Sequence, residues 1–324
     1  HHCAVLAERK KSMKKIMVIG VGGVGGVLAA NLVKKYGESV SLIARGPRRE
    51  SLRQNGLTLH SDLYGEFTVH PACIEEDPAL CGVQDLILIC VKNGGLQKVC
   101  RQISPVVGEH TAVMAVMNGV SAGQELAQRL GKGVLVDSVI YTVSSAGSDY
   151  SITQKGSYTY LNIGSHTDSE EGKKAAQEIA DLLNAAGVDC KVSRNVQAAI
   201  WKKYVLNCAF NVATARWGYT IGQLAADAAK RADCRALMAE AAAVAAKMGV
   251  PLPEDLVDKH MVTMMENTTP NSDSSLSRDF DAGKVGEMEV FSGYIVRKAA
   301  ELGVPAPVSS EYYEGLKARA AGFI

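Results

Sequence analysis

The sequence predicts an α/β doubly wound sheet with mainly parallel strands, followed by an all-α C-terminal domain. Three observations predict it. Short, almost wholly apolar runs alternate with helical patterns through the first half; a glycine-rich turn joins the first run to the first helix; and from Asn195 long helical patterns take over. Strands covered by helices on both faces should be continuously apolar, and these are. KIMVIG, residues 15–20, is the first strand, and GGVGGVLAANLVKKYG is the helix after it. SVSLIAR follows as the second strand, with DLILICV and TAVMAVM as further central strands. GVLVDSVIYTV and YTYLNIG, within residues 133–165, add closing strands, and the helical DSEEGKKAAQEIADLLNAAG precedes a last short strand, DCKVS. Beyond them, CRALMAEAAAVAAKMG and VFSGYIVRKAAELG read as helices, with Pro251, Pro253, Pro270, Pro305 and Pro307 at helix starts and turns.

At 324 residues the chain exceeds what one hydrophobic core usually holds, so two domains are expected, 13–194 and 195–324. Residues 1–12, with two leading His, read as a tag remnant before a native start at Met13. Thirty-five Lys+Arg against 34 Asp+Glu give a net charge of +1, without the basic excess of a nucleic-acid binder. Arg9, Lys10 and Lys11 against Glu8 place +2 of that charge in the first dozen residues, which leaves the remainder at −1. No run approaches the ~18 apolar residues of a membrane span. The eight Cys are scattered without a CxxC pair, which fits reduced thiols in a cytoplasmic protein and no metal site.

Gly20-Val21-Gly22-Gly23-Val24-Gly25 satisfies G-x-G-x-x-G and sits between a strand and a helix, the context of a Rossmann dinucleotide turn. Gly20 would permit the tight turn, Gly22 the approach of a pyrophosphate, and Gly25 close helix–strand packing. The helix N-terminus offers unpaired N–H groups and a positive dipole end to phosphates. The end of the second strand chooses the nucleotide. An acidic residue there would hold the ribose 2′-hydroxyl of NAD, but this chain has Arg45 followed by Gly46-Pro47-Arg48-Arg49. A guanidinium favours the 2′-phosphate of NADP (NADPH), against the plainer reading of a solvated basic loop.

Lys203, Asn207 and Asn211 recur at every fourth residue in NVQAAIWKKYVLNCAFNVATARW, so they drift only ~40° per step and share one helix face. A polar stripe in so apolar a helix points to an internal cleft; a solvated edge or core hydrogen bonding is the alternative. Downstream lie Ser275, Glu287 and Glu289; on a helix the two carboxylates would be about 200° apart and would not share a site. Asn118-Gly119 follows the apolar run TAVMAVM, which puts Asn118 at a strand's carboxyl end, where doubly wound sheets bind ligands, unless it is a simple turn.

Together these residues resemble the ketopantoate reductase (2-dehydropantoate 2-reductase) family, over essentially all of residues 14–320. The resemblance rests on GVGGVG, the terminal Arg of VSLIAR, Val91-Lys92, Met117-Asn118-Gly119, the lysine helix WKKYVLNCAFNVATA, and Ser274, Ser275, Asp279 and Glu287. It implies a Rossmann domain followed by a helical one, and NADPH-dependent reduction of 2-dehydropantoate to pantoate on the route to pantothenate. It further implies Lys203 and Glu287 as catalytic residues and Asn118, Asn207, Asn211 and Ser275 as substrate contacts. Arg45 and Lys92 would meet the cofactor, with Asn118 also near the nicotinamide. The chemistry agrees: an ammonium can stabilise the developing alkoxide and then protonate it, so no metal is required. Departures from the family pattern are Gly286 and Met288-Glu289 around Glu287, Ser292-Gly293 for Asn-Gly, and Ile221 before Gly222. They leave open a related reductase of another 2-oxo acid, and a non-catalytic NADPH-binding sensor stands as the alternative from a different class. The apolar C-terminal helices could support a homodimer.

Overall fold

Ile16, Met17 and Val18 are fully buried in the first strand, β1 (Ile16–Ile19), and their alternation sets the layers of the N-terminal unit. Ile16 and Val18 pack into one core and Met17 and Ile19 into another, so the sheet is covered on both faces. Each such side chain contributes about 1.5–3 kcal/mol of burial, which explains why the central runs contain almost nothing polar. The computed structural model describes residues 13–323; the tag expected at residues 1–12 lies outside the described residues.

The remaining strands are β2 (Val40–Ile43), β3 (Leu57–Ser61), β4 (Gly65–Val69), β5 (Cys73–Glu75), β6 (Leu86–Ile89), β7 (Ala112–Ala115), β8 (Val134–Ala146), β9 (Ile152–Ser165) and β10 (Asp189–Val192). They form one sheet in the order β4-β3-β9-β8-β7-β6-β1-β2-β5, with β10 also paired to β9. From β5 through β8 all pairings are parallel, and β8 meets β9 antiparallel. The chain runs outward from β1 through β2 to β5, then restarts at β6 on the other side of β1. That reversal is the topological switch point of a doubly wound sheet, where ligands bind at strand carboxyl ends. Helices α1 (Gly23–Tyr36) and α5 (Glu170–Ala185) cover one face; α3 (Leu96–Ile103) and α4 (Ala122–Leu130) cover the other. Helix α2 (Gly46–Asn55) follows β2.

The helical unit comprises α6 (Val196–Trp217), α7 (Ile221–Ala226), α8 (Ala228–Lys247), α9 (Leu256–Met265), α10 (Ser275–Asp281), α11 (Tyr294–Leu302) and α12 (Pro307–Ala320). Its core gathers Trp201, Tyr204, Val205, Met238, Met264, Phe280 and Phe291. The chain divides at Val196/Gln197, and the short segment Asn118–Val120 belongs with the helical unit. Among the described residues no helix is long and apolar enough to cross a membrane, and no group of three or more His, Cys, Asp or Glu could hold a metal ion.

Two local expectations are corrected. The first half holds three strands beyond those predicted, β3, β4 and β5, whose sequences are not wholly apolar. The segment from Val285 to Glu287 is not helical: Glu287 lies in a turn ahead of a π-helical stretch, Glu289–Gly293. Glu287 and Glu289 diverge because the backbone changes winding between them, with Val290 and Phe291 N–H both donating to the Glu287 carbonyl.

Candidate functional site

In the N-terminal unit the glycine turn opens α1. Gly20 has φ of 90°, a left-handed value, and a Cβ there would lie 2.6 Å from the Cys90 carbonyl oxygen. A Cβ on Gly25 would overlap the Gly20 carbonyl oxygen, so α1 can approach β1 this closely only with glycine there. Gly22 differs: a Cβ there would meet nothing within 4 Å. Space that no protein atom uses, at an α1 N-terminus without a side-chain cap, is what a pyrophosphate would fill. The Val21 side chain is buried and Val24 packs against the core, so both serve the turn from beneath, and Gly23 backs onto the Ser144 carbonyl.

A cleft of about 440 Å3 lies over this turn, at the carboxyl ends of β1, β2 and β6. Gly20, Val21, Gly22, Arg45 and Lys92 line it together. Arg45 is exposed and stands at the N-cap position of α2, where the sharp exit from β2 places it. Arg48 and Lys98 add positive charge to the lining and Glu76 one carboxylate. Arg48 was not among the residues singled out from sequence, although its place in the basic loop was a signal for it.

The second constellation lies in the helical unit and is organised along α6. Lys203 is half-buried; burial pushes its pKa down to about 8, while the nearby Glu287 carboxylate pulls it upward. Asn118 Nδ2 donates to Glu287 Oε1 at 3.1 Å. One turn along, Asn211 Nδ2 donates to Asn207 Oδ1 at 3.1 Å. Asn211 Oδ1 accepts from the Ser275 hydroxyl at 3.3 Å and the Leu276 amide at 3.4 Å, which ties α6 to the first turn of α10. The six residues therefore form two linked sets, Lys203 with Glu287 and Asn118, and Asn207 with Asn211 and Ser275. Asn211 is 5% exposed, and its side chain holds protein groups in place.

Sequence reading missed two supports of this arrangement. The hydroxyl of Tyr204, the residue after Lys203 in the chain, donates to the Val290 carbonyl at 2.5 Å within the π-helical stretch that follows Glu287. Thr214 Oγ1 lies 2.7 Å from Ser274 Oγ, and Ser274 caps α10. Thr214 continues the polar stripe one turn past Asn211, so its spacing was a usable signal; nothing in sequence marks the bond from Tyr204. Glu289 instead pairs with Arg297 at 2.6 Å and accepts from the Tyr313 hydroxyl, a cluster on the exposed side.

The family model described as Ketopantoate reductase PanE/ApbA matches residues 16–168, and Ketopantoate reductase PanE/ApbA C terminal matches residues 195–320. The chain belongs to the ketopantoate reductase family. This is a family of pyridine-nucleotide-dependent oxidoreductases. A 2-dehydropantoate 2-reductase of Mesorhizobium japonicum is 30% identical over 260 residues, 74% of this chain and 78% of that protein. The crystal structure of a PanE/ApbA family ketopantoate reductase from Ralstonia eutropha JMP134 is similar at a TM-score of 0.85 and 28% identity, covering 95% of this chain and 98% of that one. D-mandelate dehydrogenase, solved with NADH and anilino(oxo)acetate, shares the fold at a TM-score of 0.83 and 19% identity, covering 95% of this chain and 99% of that one.

Proposed function

We propose that the protein reduces 2-dehydropantoate to pantoate at the C2 ketone with NADPH, and that Lys203 is the proton donor. The observation that carries this reading is the Lys203–Glu287–Asn118 set: a desolvated ammonium with a carboxylate beside it, and an amide that orients the carboxylate. A bound reduced nicotinamide cofactor would supply the hydride. The glycine turn fits such a group, since the open space at Gly22 and the uncapped α1 N-terminus suit its phosphates. Arg45 would hold the 2′-phosphate through a charge-assisted fork, and Lys92 would contact the cofactor from the end of β6.

Negative charge developing on the ketone oxygen needs a donor, and Lys203 can stabilise that oxygen and then protonate it. With a pKa of about 8 it is mostly protonated at neutral pH yet closer to the ambient value than an ordinary lysine. Glu287 favours the charged form of the ammonium, and Asn118 holds the Glu287 carboxylate through Oε1. Asn207 would hold the substrate carboxylate through its Nδ2 donor, with Asn211 fixing the Asn207 amide through its Oδ1; Ser275, whose one hydroxyl proton goes to Asn211, would join it by turning that proton to the substrate.

The test is NADPH oxidation with 2-dehydropantoate and a panel of other 2-oxo acids. Turnover should be fastest with 2-dehydropantoate. Faster turnover of another member would reassign the substrate, and NADPH binding without turnover of any would leave the sensor reading. Arg45→Ala should weaken NADPH by about tenfold or more and NADH little. Equal effects on both nucleotides would refute the 2′-phosphate role.

A further inference from the structure

Among the described residues, Tyr150 is the one non-glycine residue with positive φ, at 66°. It sits at the tip of the β8–β9 hairpin, where Gly147 N–H donates to the Ser151 carbonyl at 2.8 Å and Tyr150 N–H to the Gly147 carbonyl at 3.0 Å. Asp149 tightens the loop by accepting from both the amide and the hydroxyl of Ser151. Glycine or asparagine usually fills a left-handed position in such a turn, because a side chain crowds the backbone there. An aromatic residue kept against that penalty marks a place to look for function.

The Tyr150 ring lies 5.1 Å from the Arg48 guanidinium carbon, within cation–π range. Arg48 Nη1 donates to the Val21 carbonyl of the glycine turn at 2.5 Å, and Arg48 lines the same cleft as Arg45 and Lys92. A guanidinium carries five donors in a planar fork, of which the Val21 bond uses one. With one donor anchored and one face against an aromatic ring, the fork is held for a phosphate before any ligand arrives.

We propose that Arg48 binds a phosphate of the dinucleotide held in this cleft, and that Tyr150 is the positioning residue that aims its guanidinium. The proposal rests on the nucleotide reading of the cleft given above. The phosphate is either the 2′-phosphate beside Arg45 or the pyrophosphate over the glycine turn, and two nucleotides distinguish them.

The experiment titrates the full-length protein with NADPH and with NADH, and follows thermal unfolding without nucleotide. Arg48→Ala should weaken binding about tenfold or more. A loss confined to NADPH identifies the 2′-phosphate, and an equal loss for NADH the pyrophosphate. Tyr150→Gly should weaken binding roughly three- to tenfold while leaving the unfolding temperature unchanged or raised, because it removes the side chain from a left-handed position. Tyr150→Phe should keep the affinity, and Tyr150→Gly should add nothing in an Arg48→Ala background. The proposal fails if Tyr150→Gly lowers the unfolding temperature with both affinities unchanged, the result of a purely structural brace. It also fails if the two substitutions add in full. A wild-type protein that binds neither nucleotide would overturn the cleft reading and this proposal with it.

Discussion

Lys203 is a charged group placed where charge is costly, and that sets both its chemistry and its signature in solution. Its pKa lies at about 8 against an ordinary 10.5 because desolvation outweighs the pull of Glu287. In the proposed role the protonated form is the donor, so turnover should be full below about pH 8 and fall as pH rises through that value. Glu287→Gln removes the contribution that raises the pKa, so the alkaline limb of the kcat profile should move to lower pH; a limb that stays or moves up contradicts the pairing. Between about 8 and 10.5 the unfolded chain binds more protons at this position, so this group's contribution to stability rises with pH. Lys203→Met removes the desolvation cost of the ammonium but also the counter-charge of Glu287, so turnover should be abolished with the unfolding temperature little changed. Asn211→Ala should lower turnover by loosening Asn207 and Ser275. It strands the buried Leu276 amide and should cost about 1–3 kcal/mol in a denaturant melt.

At the scale of elements, the strand–glycine-turn–helix unit separates two roles that one motif conflates. Gly25→Ala drives a methyl into the Gly20 carbonyl and should destabilise the fold by roughly 1–3 kcal/mol or more. Gly22→Ala meets only open space, so the unfolding temperature should hold while nucleotide affinity falls. Paired melts and titrations of the two variants check this, and a Gly22→Ala protein that binds normally would remove the phosphate from that spot. The elements carrying strong periodic or wholly apolar patterns, β1, α1, β6, β7 and α6, were legible because the sheet is buried on both faces and α6 runs through a core. Strands β3 and β4 were not. They pair antiparallel at the edge of the sheet, with Leu57 and Leu59 facing inward and Thr58 and His60 between them. A half-buried strand alternates instead of running apolar. The π-helical stretch after Glu287 was equally hidden, since no residue type signals a change of winding.

Across the whole molecule, the division of labour follows the division of the chain. The N-terminal unit presents a cleft lined by Arg45, Arg48, Lys92 and Lys98, and the helical unit carries the lysine. The net charge of the chain is only +1, so attraction for an anionic nucleotide must come from these placed side chains and not from bulk charge. Residue types at the sites were readable from spacing: Lys203, Asn207 and Asn211 share a face as the helical period requires. Spacing does not separate a residue that meets a ligand from one that holds its neighbours; the bonds of Asn211 to Asn207, Ser275 and the Leu276 amide supply the second of these roles. Whether Lys203 is the proton donor is decided by comparing wild type with Lys203→Ala in single-turnover reduction of 2-dehydropantoate, with NADPH affinity determined alongside. The rate should fall by about two to four orders of magnitude with affinity nearly unchanged. Retained turnover, or loss of NADPH binding in parallel, would contradict that role.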